Sequence, residues 1–435
     1  MESVKGANAS AVSASAEVIT TDFFIELMVI LLISRIIAWI AQRFLGQTKS
    51  VGEIIAGIML GPSVFGLFFP NAFASFFNPD VSIIFTAISQ FGLLLLMFHM
   101  GLEFDISSEF KERKKTIISI STLGIALPFS LGVASAGWFW SRIHEAPPDR
   151  LSFALFMGVA MSITAIPILG RIFMEMGLEK TRIASVTIGA AIIDDMLGWI
   201  LLGIVSALAV SNLDILSFSI KILLLAIYIF CIIVFFGPFA RKNIDRYIQK
   251  KKGLDVTLTS VLIILLLLSS MVTSRLGVFS IAGGIILGIA LKKSELLHKE
   301  WKEKISPLVY TIFLPIFFTY TGLRTDIGSL QSISDLWALL FICAIAFSGK
   351  FVGGYLAALF SGEKHRDALV IGVCMNTRAL MELIVINVAY DLGVLPKEIF
   401  TMLVLMALIS TFITTPIIRR LLRKQLVSNQ VSTVF

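Results

Sequence analysis

From Phe23 to Leu421 the chain returns repeatedly to runs of predominantly apolar residues. Each is about 18 residues or longer, enough to cross a hydrocarbon layer of roughly 30 Å as a helix. This repetition constrains the fold more than any motif. Only 15% of residues are charged and 57% are hydrophobic, with a mean hydropathy of +0.91, whereas a soluble domain carries roughly 25% charged residues. No water-soluble core could hide so much apolar surface. The pattern predicts an all-α polytopic membrane protein with about thirteen spans, at 23–42, 50–67, 82–102, 116–140, 151–173, 183–210, 215–239, 255–274, 277–291, 306–323, 336–361, 367–390 and 399–418.

The positive charges lie between the spans. With the N-terminus outside, cytoplasmic segments hold Arg43, Lys49, the Lys111–Lys115 cluster, Arg171, Lys180, Arg182, the 241–252 and 292–304 loops, Lys364, Arg366 and the 419–424 tail. Only Lys5, Arg142, Arg150, Arg275, Arg324 and Lys397 fall on the other side. The positive-inside rule then places the N-terminus outside and the C-terminus in the cytoplasm, in the plasma (bacterial inner) membrane. The net charge of +7 forms no basic stripe, so nucleic acid is not an expected partner. Residues 1–22 carry one Lys and no apolar core, which is not the layout of a cleavable signal and reads as a disordered tail. Cys231, Cys343 and Cys374 all fall inside spans without metal-ligand spacing, as small core residues do.

Three local matches recur in the same order 214 to 227 residues apart. IIAGIMLG at Ile54 resembles IAGGIILG at Ile281, GLEFDI at Gly101 resembles GLRTDI at Gly322, and GVAMSITA at Gly158 resembles GVCMNTRA at Gly372. They divide the chain into the tail 1–22, a first repeat 23–210, a linker helix and cytoplasmic loop 211–254, a second repeat 255–421 and a cytoplasmic tail 422–435. Six spans per half and one between them bring the second half in from the opposite side. Such inverted repeats characterise secondary transporters, whose site lies near the midplane at the repeat interface.

Asp194-Asp195, Lys350, Arg378 and Glu382 all lie near the middle of predicted spans. One charge at the bilayer centre costs roughly 2.5–3.5 kcal/mol, so these must face a cavity or one another. Two adjacent carboxylates repel, and out of water one of them favours its protonated form, which suits proton exchange. A carboxylate is also a hard oxygen ligand for a stripped alkali cation. Lys350 is either a helix-packing ion pair or a charge that responds to the cation, and Arg378 a fixed partner for Glu382, four residues on, or for Asp194. Pro167 removes an N–H and frees the Ile163 carbonyl, which an apolar span tolerates only beside a cavity. The matching segment Met375–Ala379, with Asn376, is also polar. Two interrupted crossing helices would then aim dipole ends at one cavity, with Thr164 and freed carbonyls as cation ligands. His99 is the one histidine inside a span and reads as a core residue with pH sensing as the alternative. Glu53, at the entrance to its span, reads as an interfacial carboxylate.

MSITAIPILGRI from Met161 and GAAIIDDMLGWI from Gly189 resemble the unwound-helix and double-aspartate segments of the cation:proton antiporter superfamily, in its bacterial sodium/proton and plant-type cation/proton exchanger branch. SGKFVGG from Ser348, MNTRALMELIVIN from Met375, GEIIAGIMLGPSVFG from Gly52 and FGLLLLMFHMGLEFD from Phe91 extend the resemblance over roughly Gly52 to Ile418. It implies a homodimer, with spans 1–3 and 8–10 as interface and spans 4–6 and 11–13 as a core that moves like an elevator. It also implies that Asp195 alternately binds cation and proton, that Asp194 partners Lys350, and that Thr164 lies near the crossing. Asp-Asp with a lysine implies electrogenic exchange. One departure bears on the ion: Arg378 is followed by Ala379 and the acid comes at Glu382, closer to potassium-handling exchangers than to sodium members with Arg-Gly-Glu. No nucleotide-binding regulatory domain is expected after the last span.

The expected activity is exchange of Na+ (or Li+) for H+ without a resident cofactor. K+/H+ exchange and electroneutral exchange stand as alternatives, and a cation channel as a more distant one. An intramembrane aspartyl protease needs two carboxylates converging from different helices, whereas neighbours on one helix point about 100° apart. No enzyme is expected.

Overall fold

The computed structural model describes residues 2–77, 79–103, 113–143, 148–164, 169, 173, 181–210, 215–251, 253–276, 280–330, 332–378 and 380–432. Every regular element among these residues is a helix. In chain order they are α1 (Glu2–Phe44), α2 (Lys49–Leu60), α3 (Pro79–Glu103), α4 (Lys114–Trp140), α5 (Arg150–Ser162), α6 (Arg182–Val210), α7 (Ile215–Phe230), α8 (Gly237–Lys251), α9 (Val256–Arg275), α10 (Ala282–Leu291), α11 (Glu295–Lys304), α12 (Leu314–Arg324), α13 (Ile333–Phe360), α14 (His365–Cys374), α15 (Leu380–Asp391) and α16 (Lys397–Ser432), joined by shorter turns.

Ten helical stretches among the described residues are long and apolar enough to cross a membrane. Their outer faces carry large apolar side chains in the open, such as Phe24, Met28, Trp39, Leu223 and Phe235, a surface suited to lipid or to another apolar surface and not to water. The other three expected positions hold shorter helices. α10 (282–291) lies within 277–291, α5 covers the first part of 151–173, and 367–390 is split between α14 and α15.

Several boundaries differ from the sequence reading. The segment 1–22, expected to be a disordered tail, is helical from Glu2; it holds no Pro, and its single glycine, Gly6, weakens a helix by only about 1 kcal/mol and does not stop α1 extending outward. The expected linker span 215–239 runs on through a π-helical turn (Cys231–Phe236) into α8. α8 reads as a charged loop by composition, but it buries Gly237, Ala240, Ile244 and Ile248 on one face. The basic loop 292–304 contains α11, capped by the Ser294 hydroxyl and anchored by buried Leu297 and Trp301. Residues 422–432, expected to be a tail, continue α16.

The helices pack in two groups. α13 lies along α4, and α5, α6, α14, α15 and α16 close around them. In the second group α2 packs on α1 and α12, while α3 packs on α10 and α12, and α9 on α10. Glycines set the close approaches. Gly57 of α2 meets Gly322 of α12, and Gly101 of α3 meets Gly288 of α10. A methyl group at Gly57 would overlap the Thr319 carbonyl, and one at Gly101 would lie 2.7 Å from the Ile285 carbonyl oxygen. All four glycines come from the repeated sequence matches.

Candidate functional site

Asp194 and Asp195 sit within α6, 0% and 5% exposed. Asp194 Oδ2 accepts a hydrogen bond from Lys350 Nζ of α13 at 2.6 Å, and both side chains are fully buried. The Thr164 hydroxyl lies 2.8 Å from the same oxygen and 3.2 Å from the Met375 carbonyl oxygen, and gives its one proton to either. Asp195 points about 100° away around the helix and makes no hydrogen bond or ion pair among the described residues. Its Oδ1 is buried without a partner, as is Asp194 Oδ1. The two acids are therefore unlike: one is paired directly with an ammonium group, and the other makes no ion pair among the described residues.

Thr164 is placed by the end of α5. The helix stops at Ser162, and Ile163 turns to extended backbone, φ −90° and ψ 146°. The Ile163 side chain packs beside Gly198, one turn from Asp194, which holds the break against α6. Pro167, the residue expected to cause it, lies outside the described residues. The second break follows Cys374, and the chain resumes as α15 at Leu380.

Arg378 ties the two breaks together. A helix leaves its last four carbonyls without helical partners, and in an apolar surrounding each such group costs free energy. Arg378 Nη1 donates to Ala160 O at 3.3 Å and Nη2 to Met161 O at 2.9 Å, both in the last turn of α5. Nη2 also reaches Ala346 O of α13 at 2.9 Å, and Nη1 reaches Glu382 Oε1 at 2.9 Å. Of the two partners sequence left open for Arg378, the structure pairs it with Glu382 and gives Asp194 to Lys350. Glu382 Oε2 remains buried without a partner among the described residues.

Asn376 Nδ2 donates to Gly372 O at 3.3 Å, within its own break, while its Oδ1 is buried and unpartnered. Sequence reasoning missed two residues of α16. Ser410 Oγ donates to Asn376 O at 3.2 Å, and Thr411 Oγ1 lies 2.8 Å from both Arg378 O and Ala407 O and gives its one proton to either, beside the backbone of the second break. An adjacent hydroxyl pair midway along an apolar span was the available signal.

Other sequence candidates lie in the second helix group. His99 is buried on α3, its ring 6.1 Å from that of His298 and 6.3 Å from Tyr310. Glu53 is buried on α2 with Oε1 3.9 Å from Arg35 Nη1. Among the described residues no cluster of three or more His, Cys, Asp or Glu could hold a resident metal ion. A transported alkali cation is cargo and needs no such cluster.

Residues 28–424 match the family described as sodium/hydrogen exchanger, transmembrane. The chain is 38% identical over 397 residues to the Na(+)/H(+) antiporter NhaS4 of Synechocystis, covering 90% of this chain and 95% of that protein. It is 32% identical to Cation/H(+) antiporter 18 of Arabidopsis thaliana and 31% identical to K(+)/H(+) antiporter 1 of Saccharomyces cerevisiae, over 91% of this chain in each case. It spans only about half of those two relatives, 48% and 46%. The fold is similar to that of the sodium proton antiporter MjNhaP1 from Methanocaldococcus jannaschii, with a TM-score of 0.60 at 15% identity, covering 91% of this chain and 96% of that one. Matched along nearly its whole length in sequence and in fold, this membrane-spanning chain belongs to the sodium/hydrogen exchanger family of cation:proton antiporters, a family of transporters.

Proposed function

We propose that the chain exchanges Na+, or Li+, for H+ by secondary active transport, with Asp195 as the group that alternately carries cation and proton. The observation that carries this reading is the inequality of the acid pair. Asp194 is held by Lys350 and Thr164, while Asp195 is buried beside it with no partner among the described residues. An isolated buried carboxylate requires a positive charge, and a proton or an alkali cation supplies one each. Asp194, Thr164, the Ile163 carbonyl and Asn376 complete the proposed cation shell, in which Asn376 Oδ1 is an unused buried acceptor. Arg378 and Glu382 hold the crossing of the two breaks.

The core helices α4–α6 and α13–α16 are proposed to move as one body against the second group, in a homodimer built on that second group. The crossed glycine contacts, Gly57 with Gly322 and Gly101 with Gly288, support two inverted six-helix repeats. Lys350 is proposed to give up its proton when the cation occupies the site and to regain one when Asp195 is protonated, so that two protons cross for one cation and the exchange is electrogenic. The loop charges support an inner-membrane orientation with the N-terminus outside. The K+ alternative rests on Ala379 after Arg378 and on the yeast relative.

The test is proton flux in proteoliposomes driven by sodium, lithium or potassium gradients. Wild-type protein is expected to alkalinise or acidify the lumen under a sodium gradient, and Asp195→Asn to abolish the response while remaining folded. Sodium-driven proton flux at the parent rate in that variant would refute Asp195 as the exchange site. A response to potassium alone would change the cargo and leave the site.

A further inference from the structure

The two helix groups meet largely through apolar side chains, such as Leu93, Phe317 and Ile384. One end of that boundary is different. Arg324, in the last turn of α12, donates from Nη2 to Asp391 Oδ1 at 2.6 Å and from Nη1 to Asn387 Oδ1 at 3.3 Å, both on α15. Its guanidinium lies 4.9 Å from the Tyr390 ring centroid and 5.3 Å from that of Tyr320. Two residues on, Asp326 Oδ2 accepts from Lys397 Nζ of α16 at 2.8 Å, and Asp326 N donates to Thr401 Oγ1 at 3.3 Å. Asn387 Nδ2 reaches Thr321 Oγ1 at 3.0 Å. Apart from the Arg324–Tyr320 contact within α12, each of these links joins α12 or the turn after it to α15 or α16, and so crosses from one group to the other.

The Arg324–Asp391 pair borders a small cleft between the groups, lined also by Thr86, Ser89 and Gln90 of α3 and by Asn387. Ser89 Oγ is buried there without a protein partner among the described residues, as suits a wet cleft. Water at the boundary lets the charged groups separate and be resolvated when the bodies part. The partial exposure of Arg324 and Asp391, 21% and 31%, fits a contact that is made and broken. A contact meant only to hold the fold would gain more from full burial of its apolar neighbours.

We infer that Arg324–Asp391 and Lys397–Asp326 form a latch between the two bodies, which fixes the resting orientation of the exchanger and makes Arg324 a positioning residue of its cycle. This rests on the moving-core reading above. A latch stabilises one of two orientations, so its loss shifts their populations. The apparent affinity on each face scales with the fraction of carrier facing it. Weakening the latch therefore improves half-saturation on one face and worsens it on the other, whereas general damage to the fold would impair both.

The experiment uses the full chain in proteoliposomes with sided addition of sodium. Arg324→Gln and Asp391→Asn are expected to move the half-saturating sodium concentrations about three- to fivefold in opposite directions on the two faces. The charge-swapped pair Arg324→Asp with Asp391→Arg should return both toward the parent. A cysteine pair, Thr321→Cys with Asn387→Cys, in a background with Cys231, Cys343 and Cys374 replaced, tests the movement itself. Cross-linking it should stop exchange, and reduction should restore it. Exchange that continues through the cross-linked protein overturns the moving core. Arrest by the cross-link, with unchanged or parallel half-saturation in the charge variants or no recovery in the swap, overturns the latch alone.

Discussion

Replacing Lys350 by Met removes a fully buried ammonium group 2.6 Å from Asp194 Oδ2 and leaves that carboxylate only the Thr164 hydroxyl at 2.8 Å. Breaking a buried ion pair from one side costs about 3–5 kcal/mol, because the remaining charge stays buried and uncompensated. Asp194→Asn strands the ammonium group in the same way. The double variant strands nothing, and the Asn amide still accepts from Thr164. Its loss of stability should fall short of the summed single losses by about 2–3 kcal/mol. Denaturant unfolding of the detergent-solubilised protein measures the cycle, and losses that add to within about 0.5 kcal/mol would refute a coupled pair. Transport supplies a second readout. One charge moved per cycle displaces the exchange equilibrium by about 2.3 kcal/mol, roughly fiftyfold, for each 100 mV. In Lys350→Met this voltage dependence should collapse in dye-loaded proteoliposomes, and an unchanged dye response would leave Lys350 a structural residue.

Further expectations concern the frame around the site. Arg378→Lys keeps one charge beside Glu382 but cannot span Ala160, Met161 and Ala346, and should cost about 2–4 kcal/mol in the same unfolding assay; full stability would show that the carbonyls find other donors. Gly57→Ala pushes a methyl group into the Thr319 carbonyl, with an expected loss of about 1–3 kcal/mol that Ala at the exposed Gly362, which has open space around it but a positive φ of 84°, would not share by the same mechanism. Outside the spans, Glu300 Oε2 accepts from Leu254 N at 2.7 Å and pairs with Lys304 at 2.9 Å. The Leu254 N–H foremost, then Lys304, holds its carboxyl below the ordinary 4.5. A depressed carboxyl stabilises the fold at pH above the ordinary value, and that contribution is lost as pH falls through the lowered value. Hydrogen exchange at Leu254 should therefore lose protection on acidification below 4.5, and Glu300→Gln should remove this step; an identical acid profile in the variant would refute the link.

Much of the fold was legible because the signals are local. Apolar run length marks a span without reference to any partner, and the ten long helices follow it. Where structure and sequence parted, packing had overridden composition. α8 and α11 read as charged loops, yet each buries one apolar face, through Ile244 and Ile248 in one and Leu297 and Trp301 in the other. The break after Ser162 was expected from Pro167, but the groups that make it tolerable were not. They are the guanidinium of Arg378, 217 residues from Met161, and the hydroxyls of Ser410 and Thr411.

For the site, the sequence by itself determined that two acids, a lysine, an arginine and a glutamate are committed to apolar spans, with no local partner on α6 or α13 to neutralise Asp194 or Lys350. Which charge meets which was decided only by tertiary structure. The Lys350–Asp194 contact joins residues 156 apart in sequence, and Arg378 is drawn to Glu382 and to the open carbonyls of α5 instead. Helix periodicity sends Asp194 and Asp195 in different directions. The packing of α13 along α4, which brings Lys350 within reach of α6, then determines which of the two receives the ammonium group and which is left to bind what is carried.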